Sequence, residues 1–168
     1  FELSSWRLSA LPSIRKSPVL SVVTNIYPDH QNYYGSMEAY VEDKKQIFRF
    51  QQVSDTLVLN ADNAWTQAMG AEAPGAVIWY SKAAGAASDG FSILGDRIME
   101  ARGIHQKEIA NLSGTRLIGE HHRENALAAV AAVRSFGIEG ASIQAGLISF
   151  EGVPHRLELV GEKRGIRF

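Results

Sequence analysis

The sequence predicts an α/β domain: a layered, mostly parallel sheet flanked by helices. Two observations carry this. Apolar runs of strand length, rich in β-branched residues, recur along the chain and each closes in polar or glycine residues. Between them lie stretches whose apolar residues repeat at helical spacing. Strands that alternate with helices bury both faces of a sheet, and such sheets are largely parallel. Ligands then bind beyond the carboxyl ends of the strands.

The first run, Ser17-Pro18-Val19-Leu20-Ser21-Val22-Val23-Thr24-Asn25-Ile26, is nearly continuous in apolar character and exits into Tyr27-Pro28-Asp29-His30. It reads as a buried parallel strand with a polar end. Ser36 can cap a helix from about Met37 to Phe50, with Glu38 in the first turn where the helix dipole favours negative charge. Thr56-Leu57-Val58-Leu59-Asn60-Ala61-Asp62-Asn63 and Ala76-Val77-Ile78-Trp79-Tyr80 repeat the strand form, and Arg116-Leu117-Ile118-Gly119 reads as a further strand. Between the last two, Ala83 to Gly90 is small and flexible, and Phe91 to Leu94 with Arg97 to Met99 predicts a hairpin on the sheet edge. An alanine-rich helix is expected from about His122 to Ser135, with Leu127, Val130 and Ala131 facing the core and Gly137 free to end it. A short helix after Gly140 is expected to turn Ile143, Leu147 and Ile148 inward, and Arg156 to Val160 with Gly165 to Phe168 reads as a β-hairpin.

At 168 residues with 45% apolar side chains, one domain with a real core is the expectation. A formal net charge of -1 gives no broad basic field, which argues against nucleic acid as the partner. The chain has no cysteine, which excludes a disulfide framework and thiolate zinc sites and is compatible with a reducing cytosol. No apolar run approaches the roughly 18 residues that span a bilayer, so a soluble cytoplasmic protein without a membrane partner is expected. Phe1-Glu2-Leu3 opens without an initiator methionine, and Gly165-Ile166-Arg167-Phe168 stops inside a strand-like run. These ends read as those of an excised piece.

Several groupings could carry chemistry. Glu2 opens the chain beside Ser4 and Ser5, and His30 follows the first strand. If their strands were neighbours, a carboxylate and an imidazole could meet at one edge and hold a divalent ion beside phosphates. Spacing leaves open that Glu2 is a solvated terminus and His30 a turn residue beside Pro28. Tyr40 and Lys44 share a helix face at i, i+4, though spacing alone favours Lys44 as one more exposed lysine of a Lys-Lys pair. His122 and Asn125 stand one above the other near a helix start and could read a flat base edge, or simply cap the helix. Arg156 could clamp a phosphate. No G-x-x-x-x-G-K-[ST] phosphate loop occurs in the chain.

Taken in order, Phe1 to Leu8, Thr24 to His30, Tyr40 to Lys44, Gly119-Glu120-His121-His122-Arg123-Glu124-Asn125-Ala126-Leu127-Ala128-Ala129 and Pro154-His155-Arg156-Leu157-Glu158 resemble the central domain of the Mur ligase family. The Glu2-Leu3-Ser4-Ser5 segment resembles the branch that adds D-glutamate, the UDP-N-acetylmuramoyl-L-alanine:D-glutamate ligases, while the Asp29-His30 turn and the Asn125 helix are shared more widely. The resemblance implies one central, ATP-binding domain over residues 1–168, truncated at both ends. It implies magnesium ligands at Glu2 and His30, and a carbamylated Lys44, rather than Lys45, supporting magnesium and catalysis with His30. Ser4 is expected near the muramoyl substrate, His122 and Asn125 at ATP, with His122 standing where the family has asparagine, and Arg156 at the ATP phosphates.

The activity so implied is a two-step ligation in peptidoglycan synthesis. ATP phosphorylates the carboxylate of UDP-N-acetylmuramoyl-L-alanine, and the amine of D-glutamate attacks the acyl phosphate. The full-length form is expected to be a monomeric enzyme using ATP and Mg2+, and these residues alone to be inactive. Alternative readings are a related ligase with another acceptor amino acid, or a nucleotide-binding domain without turnover.

Overall fold

The computed structural model describes residues 1–83, 85, 89–153, 155–156 and 160–167. Their elements are α1 (Ser5–Leu8), α2 (Leu11–Ile14), β1 (Leu20–Val23), α3 (Gln31–Tyr34), α4 (Met37–Lys45), β2 (Thr56–Asn60), α5 (Ala64–Gly70) and β3 (Ala76–Ser81). Then follow β4 (Asp89–Leu94), β5 (Arg97–Arg102), β6 (His105–Asn111), α6 (Glu120–Ser135), α7 (Gly140–Ser149) and the small pair β7 (Glu162–Lys163) and β8 (Ile166–Arg167). The main sheet has six strands in the order β1-β2-β3-β4-β5-β6. From β1 to β4 the pairing is parallel, and β4-β5-β6 is an antiparallel meander.

Successive residues of a strand point to opposite faces, and β2 shows what that does here. Leu57, Val58 and Leu59 are each fully buried. Val58 joins Tyr80, Leu127, Val130, Ala131 and Ile143 on the face covered by α6 and α7, whereas Leu57 and Leu59 join Val41, Phe48 and Met69 on the face covered by α4 and α5. The sheet is therefore the middle of three layers, as the unbroken apolar runs predict. The face toward α6 is lined largely by alanine on the helix side, which lets α6 lie close to the strands.

Several expected elements differ. The helix after Ser36 stops at Lys45 rather than Phe50. Residues 46–50 continue as turns because the Ser17 hydroxyl donates to Gln46 O (3.0 Å) and the Ser21 hydroxyl to Ile47 O (3.0 Å), drawing those carbonyls out of helical pairing. Arg116 to Gly119 is no strand: the chain turns at Leu112, whose carbonyl takes Thr115 N (3.1 Å), and Leu117 packs on the apolar cluster instead. Ile148 is 48% exposed rather than inward. The Gln144 side chain pins α7 to the end of β6, accepting from Asn111 N (2.6 Å) and donating to Asn111 O (2.9 Å), so Ile143 and Leu147 face the core and Ile148 turns away. The expected edge hairpin is β4 and β5, and β6 extends it. At the C-terminus the hairpin is formed by β7 and β8, while residues 157–159 of its expected first strand lie outside the described residues.

Candidate functional site

At the carboxyl end of β1 the chain turns through Asp29 and His30, and His30 takes the left-handed conformation at φ 52°. That is an uncommon state for a residue with a Cβ. The Asp29 carboxylate accepts from His30 N (2.7 Å) and lies 3.4 Å from His30 Nε2. The imidazole sits between Trp6 (ring centroids 5.3 Å) and Tyr40 (6.3 Å), and Trp6, Tyr33, Tyr34 and Tyr40 close a ring of aromatic contacts around it. Lys44 Nζ stands 5.4 Å above the Tyr40 ring, so the i, i+4 spacing brings Lys44 and His30 to the same aromatic side chain. Lys45 points elsewhere and is engaged by Glu72 (2.6 Å) and Glu42 (3.5 Å). Burial and the neighbouring Asp43 carboxylate push the Tyr34 phenol up.

Ser4 is the N-cap of α1, where its oxygen accepts from Arg7 N (3.4 Å), leaving its O–H free to donate. Glu2 is exposed and precedes α1 in irregular backbone, so it does not reach His30 from a neighbouring strand. Magnesium prefers oxygen ligands in near-octahedral array. Among the described residues, no three His, Cys, Asp or Glu side chains converge to hold a metal ion. A magnesium ion held by these side chains would therefore take the rest of its shell from water and phosphate oxygens.

The remaining candidates come together. A pocket of about 600 Å³ is lined by Leu117, His122, Asn125, Phe150 and Arg156 among others. Ligand pockets run from roughly 300 to 1,000 Å³, mostly apolar with a few placed polar groups. Gly119, at φ 91°, makes the sharp entry into α6. From there His122, Asn125, Ala126 and Ala129 fall at i, i+3, i+4 and i+7, one stripe of the helix facing the pocket. The alanines leave room for a flat ligand, and the imidazole and carboxamide provide its polar edge. Arg156 joins the lining from a short bridge with Val153.

Beneath this helix lies a polar network that the sequence pattern did not single out. Glu124 is buried. Its Oε1 accepts from Asn25 Nδ2 (3.0 Å) and Asn60 Nδ2 (2.6 Å), and its Oε2 lies 3.1 Å from Lys82 Nζ. The hydrogen bond and charge of Glu124 hold the Lys82 ammonium above its ordinary pKa. Asp62 accepts from Ser81 Oγ (2.6 Å) and Lys82 N (2.7 Å), and the Tyr80 hydroxyl donates to Thr24 O (3.0 Å), with burial holding that phenol protonated well above the usual range. The signal was present: Glu124, Leu127, Ala128 and Ala131 form the core stripe of α6, so a carboxylate heads an otherwise apolar row.

The Mur ligase middle domain family matches residues 1–133 of this chain. A UDP-N-acetylmuramoylalanine--D-glutamate ligase from Symbiobacterium thermophilum is 39% identical over 168 residues, covering 99% of this chain and 36% of the relative. One from Acetivibrio thermocellus is 40% identical over 167 residues, covering 99% and 35%. The chain thus spans about a third of the length of these relatives. Among solved structures, a UDP-N-acetylmuramoyl-L-alanyl-D-glutamate--2,6-diaminopimelate ligase superposes with a TM-score of 0.72 at 23% identity, covering 96% of this chain and 34% of the other. A UDP-N-acetylmuramoylalanyl-D-glutamyl-2,6-diaminopimelate--D-alanyl-D-alanyl ligase from Acinetobacter baumannii does so with 0.66 at 18%, covering 95% and 34%. These last two speak to the fold.

Proposed function

The chain belongs to the Mur ligase family through its middle domain, and from there we propose that it forms the nucleotide-holding core of an ATP-dependent ligase joining D-glutamate to UDP-N-acetylmuramoyl-L-alanine in peptidoglycan synthesis. The observation that carries this is the pocket that brings Arg156 to His122 and Asn125 of α6. The choice of D-glutamate as acceptor is supported by relatives of that name at 39% and 40% identity.

In this reading the adenine ring lies on the alanine stripe of α6, and the Asn125 carboxamide offers a donor and an acceptor to its edge. His122 offers one hydrogen bond beside it. Arg156 meets the phosphates with a planar cation suited to two oxygens at once, which stabilises the charge that develops as the phosphoryl group transfers. Ser4 donates its free hydroxyl to the muramoyl substrate near His30.

Magnesium enters the proposal through Glu2, His30 and Lys44. Carbamylation would replace the Lys44 amine above Tyr40 with anionic oxygen, adding a second such ligand to the Glu2 carboxylate beside the His30 imidazole. When bound, the ion would neutralise phosphate charge.

The test is a titration of the 168-residue chain with ATP followed by NMR. Weak but saturable shifts at His122, Asn125 and Arg156 are expected, and Asn125→Ala should abolish them. No perturbation of these residues at millimolar ATP would overturn the nucleotide assignment.

A further inference from the structure

A buried carboxylate is costly unless it is paired and hydrogen-bonded, and the partners of Glu124 are unusual in where they come from. Asn25 follows β1, Asn60 ends β2 and Lys82 follows β3, so one side chain of α6 gathers donors from the carboxyl ends of three parallel strands. The partners are also joined to each other: Asn60 Nδ2 donates to Asn25 Oδ1 (2.9 Å), and Asn60 Oδ1 accepts from Asp62 N (2.8 Å). On one side of Glu124, its chain neighbour Asn125 lines the nucleotide pocket. On the other, Asn25 begins the loop that ends at His30. That loop is held at each of its first residues, by Tyr80 at Thr24 O, by Glu124 at Asn25 and by Asn63 at Ile26 O (3.0 Å).

We propose that Glu124 is a positioning residue that locks the pocket-bearing start of α6 and the His30 turn into one unit, so that the two parts of the site keep a fixed relation. Only the identity of the two parts rests on the function proposed above. The groups facing Glu124 are all donors, which makes the carboxylate, with acceptors alone, the fitting side chain. In Glu124→Gln the carboxamide oxygen can still receive the asparagines, but its amino group then faces the Lys82 ammonium, and the junction must shift. The opposite end of α6 offers a matched control. There buried Glu100 holds Arg134 (3.2 Å) and Arg102 (2.9 Å), away from both halves of the site.

The experiment compares Glu124→Gln, Lys82→Met and Glu100→Gln in the nucleotide-free chain, by imidazole NMR resonances and by amide hydrogen exchange. Glu124→Gln should move the resonances of both His30 and His122 and speed exchange across residues 24–30 by about tenfold, while Glu100→Gln, although destabilised, moves neither imidazole. Lys82→Met should show the same pattern more weakly, and decides the matter if Glu124→Gln does not fold. A response confined to His122, or equal responses in the Glu100 control, would overturn the proposal. Because no nucleotide is present, the outcome is independent of whether the pocket binds ATP.

Discussion

Leu127 tests whether α6 is held by its core stripe. Its side chain is fully buried, in one apolar cluster with the sheet residues Val58 and Tyr80 and the α7 residue Ile143. Truncation to alanine removes apolar contact and leaves a cavity that a close-packed alanine-rich interface cannot readily refill, at a cost of about 3 kcal/mol. For a domain of this size each kcal/mol lowers Tm by roughly 2–4 °C, so Leu127→Ala should melt about 6–12 °C below the parent. Thermal unfolding followed by circular dichroism gives the shift, and urea titration should show an unchanged slope with a lower midpoint. Val133, on the same helix but 40% exposed, is the control: Val133→Ala should fall within about 0.5 kcal/mol of the parent. A Leu127→Ala shift no larger than that of Val133→Ala would refute the packing that presents His122 and Asn125.

Burial opposes ionisation of Glu100, but hydrogen bonds and charge from Arg102 and Arg134 outweigh it and hold the carboxyl below its ordinary pKa. Its stabilising contribution is therefore present above the ordinary glutamate value and is lost as pH falls through the lowered one, and acid titration of stability should be flatter in Glu100→Gln over that interval. The 168-residue chain alone should turn over no ATP, since it contains no G-x-x-x-x-G-K-[ST] loop to cradle phosphates; coupled ATP hydrolysis assays would detect any exception. In an active ligase carrying this segment, Lys44→Ala should remove most turnover with partial rescue by a small carboxylic acid. Lys45→Ala, which removes only an amine paired with Glu42 and Glu72, should be nearly neutral, and equal losses would end the carbamate assignment.

The strands β1, β2 and β3 were legible because burial on both faces demands unbroken apolar runs, and α6 because its core stripe repeats at helical spacing. The early end of α4 was not, since it depends on Ser17 and Ser21, which are distant in sequence. The orientation of α7 depends likewise on Gln144 meeting Asn111 across 33 residues. Within the site, the pairing of Tyr40 with Lys44 and of His122 with Asn125 followed from helix geometry. Glu124 was overlooked because a carboxylate between Arg123 and Asn125 looks like an ordinary polar helix start. Its row is the one that Leu127 and Ala131 mark as core-facing, but only the fold shows that its partners come from three strand ends.

If this segment is the nucleotide-holding core of a D-glutamate ligase, it should work inside a relative, and a chimera tests that most directly. The matching third of the Acetivibrio thermocellus relative would be replaced by these 168 residues, and ADP release measured with UDP-N-acetylmuramoyl-L-alanine and D-glutamate supplied together or singly. The predicted result is ADP release that requires the muramoyl substrate, yields the D-glutamate product, and is lost with Asn125→Ala or Arg156→Ala. A folded chimera that releases no ADP, or one indifferent to both substitutions, would contradict it.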